Sequence, residues 1–239
     1  VPGSHYIALS ALRTRLQQLD ELAENLSNAG THGYRGGRTI QRAANREEFD
    51  GLLQSAVDTS SGPTRIDPTY GTIAMTSRPL DVAIEGEGFF ALETPRGVQY
   101  TRNGHFQRSL DGTLVTPDGS VVVGEDGPIT LTVGEARIDA DGRVWSGAAM
   151  VGKLVVMRVP DAGAMKRAEG SRLTADGQTV EALETVHVRP ESLEESNVKT
   201  SEGLAQLTSV SRSFEALQRA IGMLLNDVDG RFIDHMGRR

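Results

Sequence analysis

The residues best spaced for chemistry are Gly86-Glu87-Gly88-Phe89-Phe90-Ala91, which follow an apolar run and match the spacing of a dinucleotide fingerprint. In that motif the glycines let the backbone approach a pyrophosphate at a helix N-terminus. Here Phe89 to Pro95 reads as a strand closed by proline, so no helix dipole follows. The glycines are read instead as a bulge or tight corner where two strands cross. Asp139-Ala140-Asp141-Gly142 resembles the start of a calcium loop but lacks the bidentate Glu at the twelfth position, and it falls where a hairpin turn is due. His5, His32, His105, His187 and His235 have no i, i+4 zinc spacing, and no Gly-x-Ser-x-Gly elbow occurs. The absence of cysteine excludes disulfides, thiolate metal sites and a cysteine nucleophile. The expectation is a protein that is not an enzyme, with no catalytic residue, no cofactor and no metal.

The strongest periodic signal lies at the two ends of the chain. Leu207, Val210, Phe214, Leu217, Ile221, Leu224 and Val228 recur at steps of 3, 4, 3, 4, 3 and 4, a heptad seam within a helix predicted over 201–236. A second stripe, Leu9, Leu12, Leu16, Leu19, Leu22 and Leu26, steps by 3, 4, 3, 3 and 4 in a helix predicted from about His5. Asn28-Ala29-Gly30 stops that helix, with Asn28 or Gly30 available as a left-handed C-cap. The two stripes fit either a helical hairpin packed on its own domain or a coiled coil used for assembly.

Composition bounds the class. The chain has 239 residues, 38% hydrophobic and 24% charged, ordinary for a soluble globular protein. The apolar runs are too short for a membrane span, so no membrane insertion is expected, and no cleaved leader is recognisable. A formal charge of −7 argues against nucleic acid, although Arg35, Arg38, Arg42 and Arg46 form a local basic cluster.

Between the ends the texture is β. After the first helix, residues 36–79 are expected to be an extended linker, with a weak helical pattern over Ala44 to Asp58. Short β-branched runs then follow, from Val82–Ile84 to Val186–Val188, separated by Asn103-Gly104, Asp111-Gly112, Asp118-Gly119, Asp126-Gly127, Asp141-Gly142 and Asp176-Gly177. Such pairs favour tight hairpins because both residues tolerate positive φ. The expected class is α+β. An all-β domain over 80–189 is carried on terminal helices over 1–35 and 190–239, which pair as a coiled coil.

Three stretches give a family resemblance. Glu24-Asn25-Leu26-Ser27-Asn28-Ala29-Gly30-Thr31-His32-Gly33-Tyr34-Arg35 is the first. Gly71 to Thr76, Arg78 to Phe90, Tyr100-Thr101-Arg102-Asn103-Gly104 and Gly112 to Val115 form the second. Leu193-Glu194-Glu195-Ser196-Asn197-Val198, with Arg212 to Glu215 inside the last helix, is the third. Together and in this order they resemble the rod and hook axial proteins of the bacterial flagellum. Ser27 stands where the family usually has Ala, and Lys199 where an acidic residue is common. The modest length, the short linker and Val123 to Ile129 most resemble the proximal rod subunits, with the distal rod subunits next.

The resemblance implies a structural subunit of the basal-body rod in the periplasm, exported by the flagellar type III apparatus. Its partners would be other rod proteins and copies of itself, with no small-molecule substrate. The assembly interface it implies comprises Leu12, Leu16, Leu19, Leu22, Asn25, Leu26 and Asn28 at one end. Ser196, Asn197, Leu207, Val210, Phe214, Leu217, Ile221, Leu224 and Val228 complete it at the other. Competing classes are an enzyme with an unrecognised pocket and a surface binding module or adhesin that would use an exposed β face and not need the heptads.

Overall fold

The structure, a computed structural model, describes residues 2–39, 64–132 and 134–236, with the backbone alone for residues 2–11, 39 and 224–236. The class is α+β, as expected, and the chain divides into two compact units. The helical unit comprises Val1–Leu26, Arg38–Thr64 and Thr200–Arg239; the β unit comprises Ser27–Gly37 and Arg65–Lys199.

Helix α1 spans Pro2–Ser27 and helix α2 spans Thr200–Met236, close to the bounds predicted from the leucine stripes. The end of α1 differs from expectation in mechanism. Neither Asn28 nor Gly30 has positive φ. The chain leaves the helix through a turn in which Thr31 N–H donates to Asn28 O (3.0 Å) and Thr31 Oγ1 to Asn28 Oδ1 (3.3 Å). The left-handed residue is Gly33, φ +66°.

The β unit is built around Phe89–Thr94. This strand pairs antiparallel with Gly97–Thr101 on one edge, and with Val121–Gly124 and Val156–Arg158 on the other. Its alternation sorts side chains to opposite faces, as a period of two requires. Phe90 and Leu92 enter the main core with Val82, Phe106, Leu114 and Val122, whereas Phe89 joins Ile66, Val159, Met165 and Leu173 in a second cluster. Phe90 and Phe106 meet edge-to-face at 5.2 Å, a geometry favoured by the ring quadrupole. Ala136–Ile138, Arg143–Ser146 and Ala149–Lys153 form a separate antiparallel meander.

Two short ribbons tie the early part of the β unit to its late part. Ile73–Met75 pairs with Ser192–Glu194, and Val82–Ile84 pairs with Val188–Pro190. The longer segment of the β unit therefore runs from Arg65 to Lys199, wider than the 80–189 expected, and Ser27–Gly37 joins the unit as well. Strands of three residues whose partners lie more than a hundred positions away show too little alternation to be read locally. The helical pattern at Ala44 to Asp58 lies outside the described residues.

Five of the six turn pairs carry the positive-φ glycine expected, at Gly112, Gly119, Gly127, Gly142 and Gly177. Asn103-Gly104 does not. Gly104 lies against the backbone of Val82, where a Cβ would stand 1.7 Å from the Val82 carbonyl oxygen, so glycine is required there for close approach. The Asp139 fragment is a turn, as expected: Oδ1 accepts the N–H groups of Asp141 (3.0 Å) and Arg143 (2.9 Å), and Oδ2 accepts the Trp145 indole N–H (3.0 Å).

Gly104→Ala is expected to destabilise the β unit by about 1–3 kcal/mol or more, because backbone has to move, measured as a lower urea midpoint. At Asp139 burial pushes the carboxyl up, but the Trp145 and backbone donors, with Arg143, outweigh it and hold it below the usual carboxylate range. A depressed folded value means the contribution is present above the unfolded value and is lost as pH falls through the folded one. Acid titration of Trp145 fluorescence should show that transition, and Asp139→Asn should remove it.

Candidate functional site

Glu194 ends the strand Ser192–Glu194 with its side chain 2% exposed, and both carboxylate oxygens are occupied. Oε1 accepts from Arg35 Nη2 at 2.8 Å and from the Gly71 N–H at 3.0 Å, and Oε2 accepts from Arg102 Nε at 2.7 Å. Both arginines are buried. A carboxylate removed from water persists only when paired and hydrogen-bonded in this way.

Arg102 spends its remaining donors on backbone. Nη1 reaches Gly86 O (2.9 Å) and Gly88 O (2.7 Å), and Nη2 reaches Ile84 O (3.2 Å). The Gly86-Glu87-Gly88 segment thus turns carbonyl oxygens toward a cation, the opposite polarity from a phosphate cradle, which presents N–H groups. Arg35 Nη1 donates to Pro68 O (3.0 Å), and the Tyr70 ring lies against both guanidiniums, 4.8 Å from Arg35 Cζ and 5.2 Å from Arg102 Cζ.

Backbone bonds draw the same segments together. Gly33 N–H donates to Glu194 O (2.7 Å), Asn197 N–H to Tyr34 O (3.3 Å), and Gly36 N–H to Asn197 Oδ1 (2.7 Å). Asn197 Nδ2 donates onward to Asp67 O (3.3 Å) and Thr69 O (3.0 Å). Arg167 stacks on Tyr34 at 4.3 Å and donates to Arg35 O at 2.9 Å. At Gly33 a Cβ would fall 2.2 Å from Asn103 N, so the segment passes too close for any side chain. Two cations share the Glu194 carboxylate, and Asp67 adds negative charge near Arg35. Burial lowers the Arg35 guanidinium to about 10; Glu194 opposes that shift and Arg102 adds to it. Arg35 stays protonated at neutral pH.

The residues expected to form the assembly interface divide by location. On α1, Leu12, Leu19, Leu22, Asn25 and Leu26 are half-buried and Leu16 is exposed; Asn28 closes the turn after the helix. On α2, Leu207, Val210, Phe214, Leu217 and Ile221 are half-buried, while the side chains of Leu224 and Val228 lie outside the described residues. Ser196 Oγ accepts the Val198 N–H (3.2 Å), and Asn197 belongs to the network around Glu194.

Sequence reasoning missed the triad Arg35–Glu194–Arg102 as a unit. Arg35 reads as part of a basic cluster and Glu194 as part of an acidic lead. The available signal is that each of the three family-like stretches supplies one member. Replacing Glu194 by Ala leaves two buried guanidiniums facing each other and is expected to cost about 3–5 kcal/mol, read from urea unfolding of the whole chain. A loss under about 1 kcal/mol would place the triad in solvent-like surroundings.

Comparison with known proteins agrees with this anatomy. The family described as flagellar hook protein FlgE/F/G D1 domain matches residues 83–146, within the β unit. The flagellar basal-body rod protein FlgF of Salmonella typhimurium is 33% identical over 233 residues, spanning 90% of this chain and 91% of that protein. FlgF of Escherichia coli K12 is 34% identical over 242 residues, 95% of each. The rod protein FlgG of Bacillus subtilis is 30% identical over 156 residues, 59% of each. Likeness to FlgF runs nearly end to end, whereas likeness to this FlgG covers little more than half of each chain. The chain belongs to the flagellar basal-body rod protein family, in its FlgF branch, and is a structural subunit of the flagellar rod.

Proposed function

We propose that the subunit enters the rod through its two terminal helices, whose apolar seams pair as a coiled coil and complete their burial against neighbouring rod subunits. One observation carries this reading. Every buried residue among those described belongs to the β unit, while the seam positions of α1 and α2 are half-buried at best. Helices draw most of their stability from packing an amphipathic face. A seam left half-covered retains apolar area to bury, and a large apolar side chain is worth roughly 1.5–3 kcal/mol when fully covered. The helices approach each other near their inner ends, since a Cβ at Gly203 would lie 3.9 Å from Leu26 Cδ1.

The same reading makes the subunit a non-enzymatic building block, delivered by the flagellar type III export apparatus, with paralogous rod proteins and copies of itself as neighbours. A β-face adhesin would leave the helical seams without a purpose.

Leu217→Lys and Ile221→Lys each place a charge in the seam. Both variants are expected to abolish incorporation into isolated basal bodies, while thermal unfolding of the β unit followed by Trp145 fluorescence stays unchanged. Normal incorporation of either variant would show that the seam serves only as packing within the subunit.

A further inference from the structure

Asn103-Gly104 is the only Asn-Gly pair in the chain; Asn25, Asn28, Asn45, Asn197 and Asn226 all precede larger residues. Glycine has no side chain to screen its N–H, so the Gly104 nitrogen is the least hindered backbone nucleophile that an asparagine amide can meet. Attack of that nitrogen on Asn103 Cγ forms the N–Cγ bond of a succinimide and breaks Cγ–Nδ2. Ammonia leaves with the proton of the Gly104 N–H, and water then opens the ring. Cleavage at Cγ gives aspartate. Cleavage at the main-chain carbonyl gives isoaspartate, in which the backbone runs through Cβ and is one atom longer.

The folded chain blocks the first step. Ring closure needs the Asn103 side chain to turn onto the Gly104 nitrogen and the main chain to rotate between them. Asn103 Oδ1 instead accepts the His105 N–H (3.0 Å), the bond by which an asparagine closes a turn on its own backbone. The Asn103 N–H donates to Thr101 Oγ1 (3.0 Å), and Gly104 O accepts the Val82 N–H (3.1 Å). His105 is held in turn by a β-bridge to Asp81 and a 2.7 Å contact between its Nδ1 and Asp81 Oδ1. Backbone closes in from two sides, Val82 against Gly104 and Gly33 against Asn103, at distances that exclude even a Cβ. A peptide packed this tightly rotates only when the surroundings open, so the rate falls with the population of the open form.

The nature of the product matters because both flanks are fixed. Arg102 is held by Glu194 and by the carbonyls of Ile84, Gly86 and Gly88, and Phe106 is fully buried in the main core. An extra backbone atom between them has no room beside Val82 and Gly33. Aspartate at 103 keeps both the main-chain length and the Oδ1 acceptor.

We infer that Asn103-Gly104 is a deamidation site open only in the unfolded chain, and that its isoaspartate product bars the chain from the native fold. A chain that stays unfolded too long is thereby retired, whereas a folded one is protected. This stands independently of the reading of the terminal helices.

The test incubates full-length protein at neutral pH, either folded or in urea above its unfolding transition. Residue 103 is followed by peptide mapping and mass spectrometry, in which deamidation changes the mass and isomerisation of the Asp-Gly pairs does not. The unfolded chain should deamidate at least tenfold faster than the folded one, and a smaller ratio would overturn the protection. The aged chain is then refolded by removing urea, and its native fraction is isolated by size-exclusion chromatography. Aspartate and isoaspartate at 103 arise from the same ring, so each serves as the other's control. Isoaspartate should be depleted at least tenfold relative to aspartate in the native fraction, and equal partition would overturn the bar to folding. Asn103→Asp should fold. Its failure to fold would assign the block to the added charge and overturn the role of the longer backbone.

Discussion

A carboxylate that leaves water must find a full set of donors, and Glu194 finds them in segments far apart along the chain. Arg35 follows the first helix, Gly71 precedes the ribbon strand Ile73–Met75, and Arg102 closes the strand Gly97–Thr101. No one of these segments can leave without stranding charge in a low-dielectric interior. The pairing of Ser192–Glu194 with Ile73–Met75 sets the register that puts the carboxylate there. The main-chain bond from Gly33 to Glu194 O seats the segment that leads out of α1, and Asn197 does the same for the segment that leads into α2.

The two units contrast in how they are stabilised. In the β unit, alternation along Phe89–Thr94 feeds two apolar clusters, and the buried Arg102 guanidinium is tied to backbone carbonyls. The described part of the helical unit has stripes of leucine but no buried residue. On the proposed reading, such a division lets the β unit hold its own fold while the helices keep apolar surface for neighbours.

Much of this was legible in the sequence, for reasons that differ by element. Both helices were readable because leucines at three- and four-residue steps persist over many turns, which averages out local exceptions. Most tight turns were readable because an Asp-Gly pair satisfies its own geometry without help from elsewhere. Asn103-Gly104 misled because its glycine answers to close approach by Val82, a tertiary demand that a dipeptide does not display. The triad was illegible for the same reason. Arg35, Arg102 and Glu194 are ordinary surface residues until strand pairing removes the water around them. The apolar stripes of both helices were identifiable by period, but whether their cover comes from the same subunit or another depends on contacts that a single sequence does not contain.

The charge network around Glu194 locks the chain passages flanking both helices into the β unit. Amide hydrogen exchange tests this most directly, read at Gly33, Gly36 and Gly71, whose N–H groups donate into that network. In the full-length free subunit these amides are expected to exchange as slowly as those of Leu92 and Val122 in the central strands, through global opening only. Exchange as fast as that of Asp111 at the exposed turn tip would contradict the lock.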